Sequence, residues 1–155
     1  MGLAEKFAKT PVRDLNLREM PIVDPDVLVR DAIAVMRAAD LGCVMVVEGG
    51  QPAGMFTEGL LREEFARNPG VVDELVATHM AVPFPKIYLD DTVDMVLLAM
   101  QANNTRFICV VDADETVIGL TGQKGLMEFV AEEFPRQVMV QRIGGTFPMT
   151  QREGA

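Results

Sequence analysis

The chain has 155 residues, of which 49% are hydrophobic and 24% are charged, and its formal net charge at pH 7 is −9. This composition is typical of a globular domain and excludes an intrinsically disordered chain. The negative charge argues against nucleic acid and anionic membranes as partners, and no apolar run approaches the roughly 18 residues of a membrane span.

The first half of the chain predicts a short helix followed by a βαββα unit. Residues 3–9 are amphipathic and predict the short helix. In the unit itself, Val29, Ala32, Ile33 and Met36 follow the spacing of one helical face. The expected elements are an extended segment at 22–23, this helix, strands at 43–47 and 53–56, and a closing helix at 59–67.

The second half repeats this order at an offset of 64 residues, which places Val29 on Val93 and Met36 on Met100. One added residue in the second hairpin then places Gly54 on Gly119. The repeated elements are expected at 87–88, from 93 onward, at 107–111, at 117–121 and at 124–133. The sequence therefore predicts an α/β (α+β) fold of two pseudo-symmetric βαββα repeats packed sheet to sheet, because neither repeat alone covers both faces of its sheet.

The remaining segments complete the predicted organisation. Asp26 and Asp91 are expected to cap the first long helix of each repeat, and residues 71–78 to form a short helical connector. Residues 137–143 alternate in polarity and predict an added edge strand, followed by a loose tail at 144–155. We expect repeat 1 with its N-terminal helix at 1–68, repeat 2 with the connector at 69–135, and a C-terminal extension and tail at 136–155.

No pattern in the sequence indicates catalysis or metal binding. The chain has one histidine, His79, no CxxC motif and no nucleophile with a nearby base. Cys43 and Cys109 lie in apolar runs, which is typical of buried free thiols in a reducing compartment. We therefore expect a cytoplasmic protein that is not an enzyme and has no catalytic or metal-binding residues.

Two stretches of repeat 1, at 23–36 and 44–58, and their counterparts in repeat 2 resemble a tandem pair of cystathionine β-synthase (CBS) domains, the arrangement called a Bateman module. The resemblance covers about residues 11–130. It implies a regulatory module that binds AMP, ATP or S-adenosylmethionine in clefts between the repeats. It also implies a homodimer that acts in trans on a partner protein, which the sequence does not identify.

The ligand motif of that family is Gly, two apolar residues, Thr or Ser, two variable residues, and an Asp that holds the ribose. In repeat 1 Thr57 matches, but Leu60 stands in the Asp position. In repeat 2 Gly122 replaces the hydroxyl residue, Gly125 replaces Asp, and Thr121 comes one position early. A missing acceptor costs about 1.5–3 kcal/mol. The alternative to a ligand sensor is therefore a ligand-free dimerisation or protein-interaction module.

Several candidate ligand residues have a second interpretation. Gly122 and Lys124 fit an anion pocket or a tight turn with a solvated lysine, and His79 fits a ligand or pH-responsive contact or an ordinary linker. Arg106 fits a phosphate contact or a surface ion pair, and Glu58 fits a ligand acceptor or the first turn of a helix. The full candidate set is Met20, Pro21, Ile22, Thr57, Glu58, His79, Arg106, Thr121, Gly122 and Lys124.

Overall fold

The computed structural model describes residues 2–133 and confirms two βαββα repeats. Repeat 1 follows an N-terminal helix, and a connector of two short 3₁₀ turns, Pro69–Asp73 and Val76–Thr78, leads into repeat 2. The helices are α1 Leu3–Lys9, α2 Val29–Ala39, α3 Glu58–Arg67, α4 Val93–Asn103 and α5 Gln123–Glu133. The strands are β1 Ile22–Val23, β2 Cys43–Glu48, β3 Gln51–Thr57, β4 Lys86–Tyr88, β5 Phe107–Val111 and β6 Val117–Gly122.

Each repeat forms a three-stranded sheet with the same topology. The sheet orders are β1-β2-β3 and β4-β5-β6, with the first pair parallel and the second pair antiparallel in each. The register shifts directly after Val46 in repeat 1 and directly after Val110 in repeat 2. The duplication predicted from the 64-residue offset is therefore present in the backbone down to the position of this irregularity.

The alternation of side chains along the central strands produces four layers. Val44 and Val46 pack beneath α2, whereas Cys43 and Met45 face the opposite way into a core shared with repeat 2. The shared core also contains Cys109 and other residues of the second sheet. The layers are therefore helix, sheet, sheet and helix, as the sheet-to-sheet packing predicted.

The segment that precedes each repeat in the sequence packs against the other repeat; we call these the exchanged segments. The rings of Phe7 in α1 and Phe129 in α5 lie 5.6 Å apart, so α1 packs on repeat 2. The connector instead places Val71 and Val76 in the core of repeat 1 beside Val29. The sequence division groups α1 with repeat 1 and the connector with repeat 2, and the contacts of both segments run to the other repeat.

This exchange explains why the expected caps at Asp26 and Asp91 are wrong. The helix α2 begins at Val29, whose N–H donates to the carbonyl of Glu74 at 2.9 Å. The helix α4 begins at Val93, whose N–H donates to the carbonyl of Thr10, also at 2.9 Å. Each exchanged segment thus supplies an acceptor to the first turn of a helix, where backbone donors lack intrahelical partners.

Two further expectations have different outcomes. The connector is helical, as expected, but it consists of 3₁₀ turns rather than one helix. The edge strand expected at 137–143 and the tail expected at 144–155 lie outside the described residues. Within residues 2–133, every helix is too short or too polar to cross a bilayer.

Candidate functional site

A cleft opens where β6 ends and α5 begins. It combines a small cavity of about 30 Å³ with an adjoining open groove of about 360 Å³. Ligand pockets in proteins commonly measure about 300–1,000 Å³, so the groove is large enough for a small ligand. We call this site the basic cleft, and its lining residues are Arg18, Arg106, Phe107, Leu120, Thr121, Gly122, Gln123, Lys124, Gly125 and Met127.

Gly122 allows Arg106 to lie beside the start of α5. Gly122 pairs with Phe107 across the hairpin, and a Cβ atom at position 122 would overlap the carbonyl oxygen of Arg106. Only glycine permits this close approach without a shift of the backbone. The N–H of Gln123, the first residue of α5, then points to the same carbonyl at 3.4 Å. The turn therefore joins the end of β6, the start of α5 and Arg106 in one place.

Arg18 reaches the cleft from the exchanged N-terminal segment. The N–H of Arg18 donates to the carbonyl of Leu120 at 2.9 Å, and the N–H of Leu120 donates to the carbonyl of Arg18 at 2.8 Å. Gly119 permits this pairing, because a Cβ atom there would lie 2.9 Å from the carbonyl oxygen of Arg18. The cleft is thus built from both ends of the described chain.

The three cations of the cleft are not neutralised by any carboxylate of the described residues. Within residues 2–133, Arg18, Arg106 and Lys124 have no carboxylate within 4.0 Å, whereas six other Lys and Arg side chains do. The start of α5 adds the partial positive charge of a helix N-terminus. In a chain of net charge −9, this concentration of unpaired positive charge makes the cleft a local attractor for anions.

Thr121 supplies a buried polar atom that lacks a partner. The residue is only 3% exposed, and its Oγ1 is buried without a hydrogen bond to any described residue. An unsatisfied buried hydroxyl costs about 1–3 kcal/mol, so such groups are rare unless a ligand or water completes them. Thr121 lines the small cavity, which places this unsatisfied hydroxyl at the cavity wall.

Four of the ten candidate residues come together in the basic cleft: Arg106, Thr121, Gly122 and Lys124. The three candidates before and within β1 lie elsewhere. Met20 is buried in the shared core, and Ile22 is exposed on an edge strand. Pro21 lines another cavity, of about 460 Å³ near α2, which Arg18 lines as well.

The other three candidates hold local structure. Thr57 is the N-cap of α3, where its Oγ1 accepts from the N–H of Leu60 at 3.2 Å. Glu58 begins α3, as the helical interpretation predicted. His79 lies between two carboxylates, with Nε2 2.7 Å from Glu74 Oε1 and Nδ1 3.2 Å from Glu64 Oε1.

Sequence reasoning missed Arg18, Phe107, Leu120, Gln123 and Met127 as lining residues. Arg18 belongs by sequence to the approach to repeat 1 and reaches repeat 2 only through its pairing with Leu120. No local motif marks such a contact. Gln123 and Met127 lie in the first two turns of α5, so the predicted start of that helix could have indicated both as lining residues.

Repeat 1 has an equivalent position at the start of α3, because Thr57 pairs with Cys43 as Gly122 pairs with Phe107. There, Glu58 contributes a carboxylate, and the Thr57 hydroxyl is already bonded. The residues that correspond to Arg18, Arg106 and Lys124 are Ala81, Gly42 and Gly59. The cluster of cations therefore occurs in repeat 2 and not at its counterpart. Among residues 2–133, no three His, Cys, Asp or Glu side chains are grouped to hold a metal ion.

Comparison with known proteins gives a family match in both halves of the chain. The model of the CBS domain matches residues 12–67 and 72–132. An uncharacterized protein of Chlamydia muridarum is 30% identical over 107 residues, which cover 66% of this chain and 33% of that protein. The chain thus spans about one third of the length of this relative.

Solved structures share the fold. A CBS-domain containing protein from Agrobacterium tumefaciens has a TM-score of 0.70 at 23% identity, covering 77% of this chain and 92% of that one. A CBS domain pair/ACT domain protein from Thermotoga maritima has a TM-score of 0.66 at 18% identity, covering 81% and 99%. The CBS domain pair of protein MJ0100, solved in complex with 5′-methylthioadenosine and S-adenosyl-L-methionine, has a TM-score of 0.69 at 20% identity, covering 80% and 98%.

Proposed function

The chain belongs to the CBS domain family, and we propose that it is a regulatory module whose basic cleft binds an anionic adenine nucleotide such as AMP or ATP. The observation that carries this proposal is the convergence of Arg18, Arg106 and Lys124, all unpaired, on the start of α5 beside the orphan hydroxyl of Thr121. Ligand binding would alter the surface offered to a partner protein, on which the module acts in trans.

Phosphate is the chemical group that this cleft suits best. Guanidinium and ammonium groups form charge-assisted hydrogen bonds to phosphate oxygens, and the free backbone donors of a helix start add to them. The equivalent Thr57 in repeat 1 caps its own helix, whereas Gly122 has no side chain to cap α5. The N–H of Gln123 points to the carbonyl of Arg106, and the donors that follow it in the first turn lack intrahelical partners and can bind a ligand.

Charge also favours a nucleotide over the ligands of the structural neighbour. S-adenosyl-L-methionine, which occupies the CBS pair of MJ0100 together with 5′-methylthioadenosine, carries a sulfonium cation. Three unpaired cations repel that group, and they gain nothing from the uncharged methylthioadenosine. We therefore expect the adenosine ligands of this chain to be those that carry phosphate.

Isothermal titration calorimetry tests the proposal. ATP and AMP are expected to bind the full chain, and S-adenosyl-L-methionine at least about tenfold more weakly. Arg106→Ala should weaken ATP binding about tenfold or more through loss of a charge-assisted hydrogen bond. Arg62→Ala is the matched control, because it removes a cation without a carboxylate partner from the equivalent helix of repeat 1. Equal weakening by both variants, or no binding of any nucleotide, contradicts the proposal.

A second function, dimerisation, is favoured by α4, an outer helix of repeat 2. Met95 and Leu98 on α4 are 44% and 62% exposed. The corresponding residues of repeat 1 are Asp31 and Ala34. Two exposed apolar side chains one helical turn apart are typical of an interaction surface, and we propose that a second copy of the chain covers them.

Sedimentation velocity distinguishes the dimer from the monomer. The wild-type chain is expected to sediment as a dimer, and Leu98→Glu to shift it to the 17.0 kDa monomer by burying a charge in the interface. The control is Ala34→Glu, which places the same charge at the equivalent position of repeat 1. A wild-type monomer at all concentrations would contradict dimerisation while leaving ligand binding untouched.

A further inference from the structure

We infer that the basic cleft recognises its ligand through phosphate groups alone, so that it takes linear oligophosphates with or without an attached nucleoside. This inference rests on the proposed function, because it names the ligand class of the same cleft. It separates two parts of a nucleotide that bind through different chemistry, the phosphate chain and the ribose.

The lining of the cleft contains no group that grips a ribose strongly. A ribose diol presents two hydroxyl donors, and a carboxylate is the acceptor that binds both with charge assistance. None of the ten lining residues is an Asp or a Glu. The cations Arg18, Arg106 and Lys124 are donors only, and they match phosphate oxygens rather than hydroxyl hydrogens.

The space for such a carboxylate is already filled. Gly125 stands on the first turn of α5 and lines the cavity. A Cβ atom added there would lie 2.7 Å from Thr121 Oγ1, which is closer than ordinary contact. The Thr121 side chain thus occupies the position that an acidic side chain on residue 125 would need. The cleft therefore presents the Thr121 hydroxyl, which can donate to a phosphate oxygen, and lacks a carboxylate that would accept from the ribose hydroxyls.

Size and charge point to a chain of phosphates whose end enters the cavity. The small cavity, at about 30 Å³, has room for one water-sized group such as a phosphate oxygen. The adjoining groove, lined by Arg106 and Lys124, then receives the following phosphates. Because the Coulomb attraction grows with the ligand charge, a triphosphate should bind more tightly than a monophosphate, and its binding should weaken with salt.

The test compares tripolyphosphate, ATP and 2′,3′-dideoxy-ATP by calorimetry on the full chain, in buffer without magnesium so that the phosphate charge stays unmasked. The three dissociation constants are expected to agree within about threefold. A site that held the ribose would lose about tenfold or more for the dideoxy compound and for tripolyphosphate.

Variants locate the binding and separate the two proposals. Arg106→Ala with Lys124→Ala should weaken all three ligands by at least about tenfold, and Arg62→Ala should leave them unchanged. ATP binding at least about tenfold tighter than both other ligands overturns phosphate-only recognition and leaves the proposed function standing. No binding of any ligand overturns both. Binding that survives the Arg106 and Lys124 changes overturns the assignment to this cleft.

Discussion

The start of α5 and the start of α3 occupy the same place in the two repeats, yet their electrostatic character is opposite. At α5 three unpaired cations surround a free hydroxyl. At α3 the three equivalent residues are uncharged, Glu58 adds a carboxylate, and the hydroxyl of Thr57 is bonded to its own helix. The start of α5 thus favours an anion, whereas the start of α3 presents a carboxylate beside a hydroxyl that is already bonded.

Despite this difference, the backbones of the two repeats agree closely. The helices α2 and α4 both end at a residue in the left-handed region, Asp40 and Asn104, and both hairpins shift register at the same point. Buried positions that set the layers are constrained by packing, whereas residues that line a cleft are free to change. The duplication therefore preserves the scaffold while each repeat sets the chemistry of its own site.

Converting the α5 site into a copy of the α3 site should have the largest effect. The variant Arg18→Ala, Arg106→Gly, Lys124→Gly installs the repeat 1 residues, and we expect nucleotide affinity to fall by about a thousandfold. Calorimetry measures the loss. The reciprocal control, Ala81→Arg, Gly42→Arg, Gly59→Lys, should create no second site, because Glu58 remains. A second bound nucleotide in that control would show that cations alone distinguish the repeats.

In the shared core, the buried cysteines of the two repeats should react alike. Burial, and for Cys43 also the neighbouring Cys109, raises the pKa of each thiol from 9.0 to about 12. Since the thiolate is the reactive form, both native thiols should react with iodoacetamide at pH 8 at least roughly a hundredfold more slowly than after unfolding. Mass spectrometry of the alkylated protein measures each site, and a fast reaction at one cysteine would mean that its side of the core opens independently.

The same pKa shift fixes a pH dependence of stability. In the unfolded chain both thiols ionise near pH 9.0, whereas in the folded protein they stay neutral up to about pH 12. The contribution of these thiols to the free energy of unfolding is therefore fully present below pH 9 and declines as the pH rises from 9 towards 12. Urea titrations across this range, with a Cys43→Ala, Cys109→Ala control, isolate their part.

Exchanging the residues that precede α5 and α3 tests whether the backbone at position 122 requires glycine. Gly122→Thr adds a Cβ atom that overlaps the carbonyl of Arg106, and we expect a loss of about 3 kcal/mol in the free energy of unfolding. Thr57→Gly only removes a cap and should cost a few tenths of a kcal/mol. Urea denaturation measures both. Equal costs would show that the turn into α5 relaxes easily and that glycine is not required there.

The sequence predicted the features that depend on local periodicity. The continuous apolar run at 43–47 indicates a buried strand, and the offset that relates Val29 to Val93 is visible as residue spacing. The cluster of Arg106, Thr121 and Lys124 could also be found, because a motif at a strand-to-helix turn brings neighbouring residues together.

Contacts between distant segments could not be predicted in this way. The caps expected at Asp26 and Asp91 are wrong because carbonyls of the exchanged segments fill that role. Arg18 was missed for the same reason, since only its pairing with Leu120 places it in the cleft. Both errors arise because residues 3–18 and the connector pack on the repeat that they do not precede by sequence, which the periodicity within one repeat does not record.

The smallest expected effect concerns the hydroxyl that one helix start uses and the other leaves free. Thr121→Val keeps the shape of the side chain and removes the unsatisfied Oγ1, so the ligand-free protein should gain about 1 kcal/mol in stability. The same change should weaken ATP binding by about tenfold, because a bond to the phosphate is lost. Thr121→Ser, which retains the hydroxyl, should retain ATP affinity. Thermal melting without ligand and calorimetry with ATP measure the two effects, and a lower melting temperature together with unchanged affinity would mean that Thr121 is a packing residue like its counterpart Phe56.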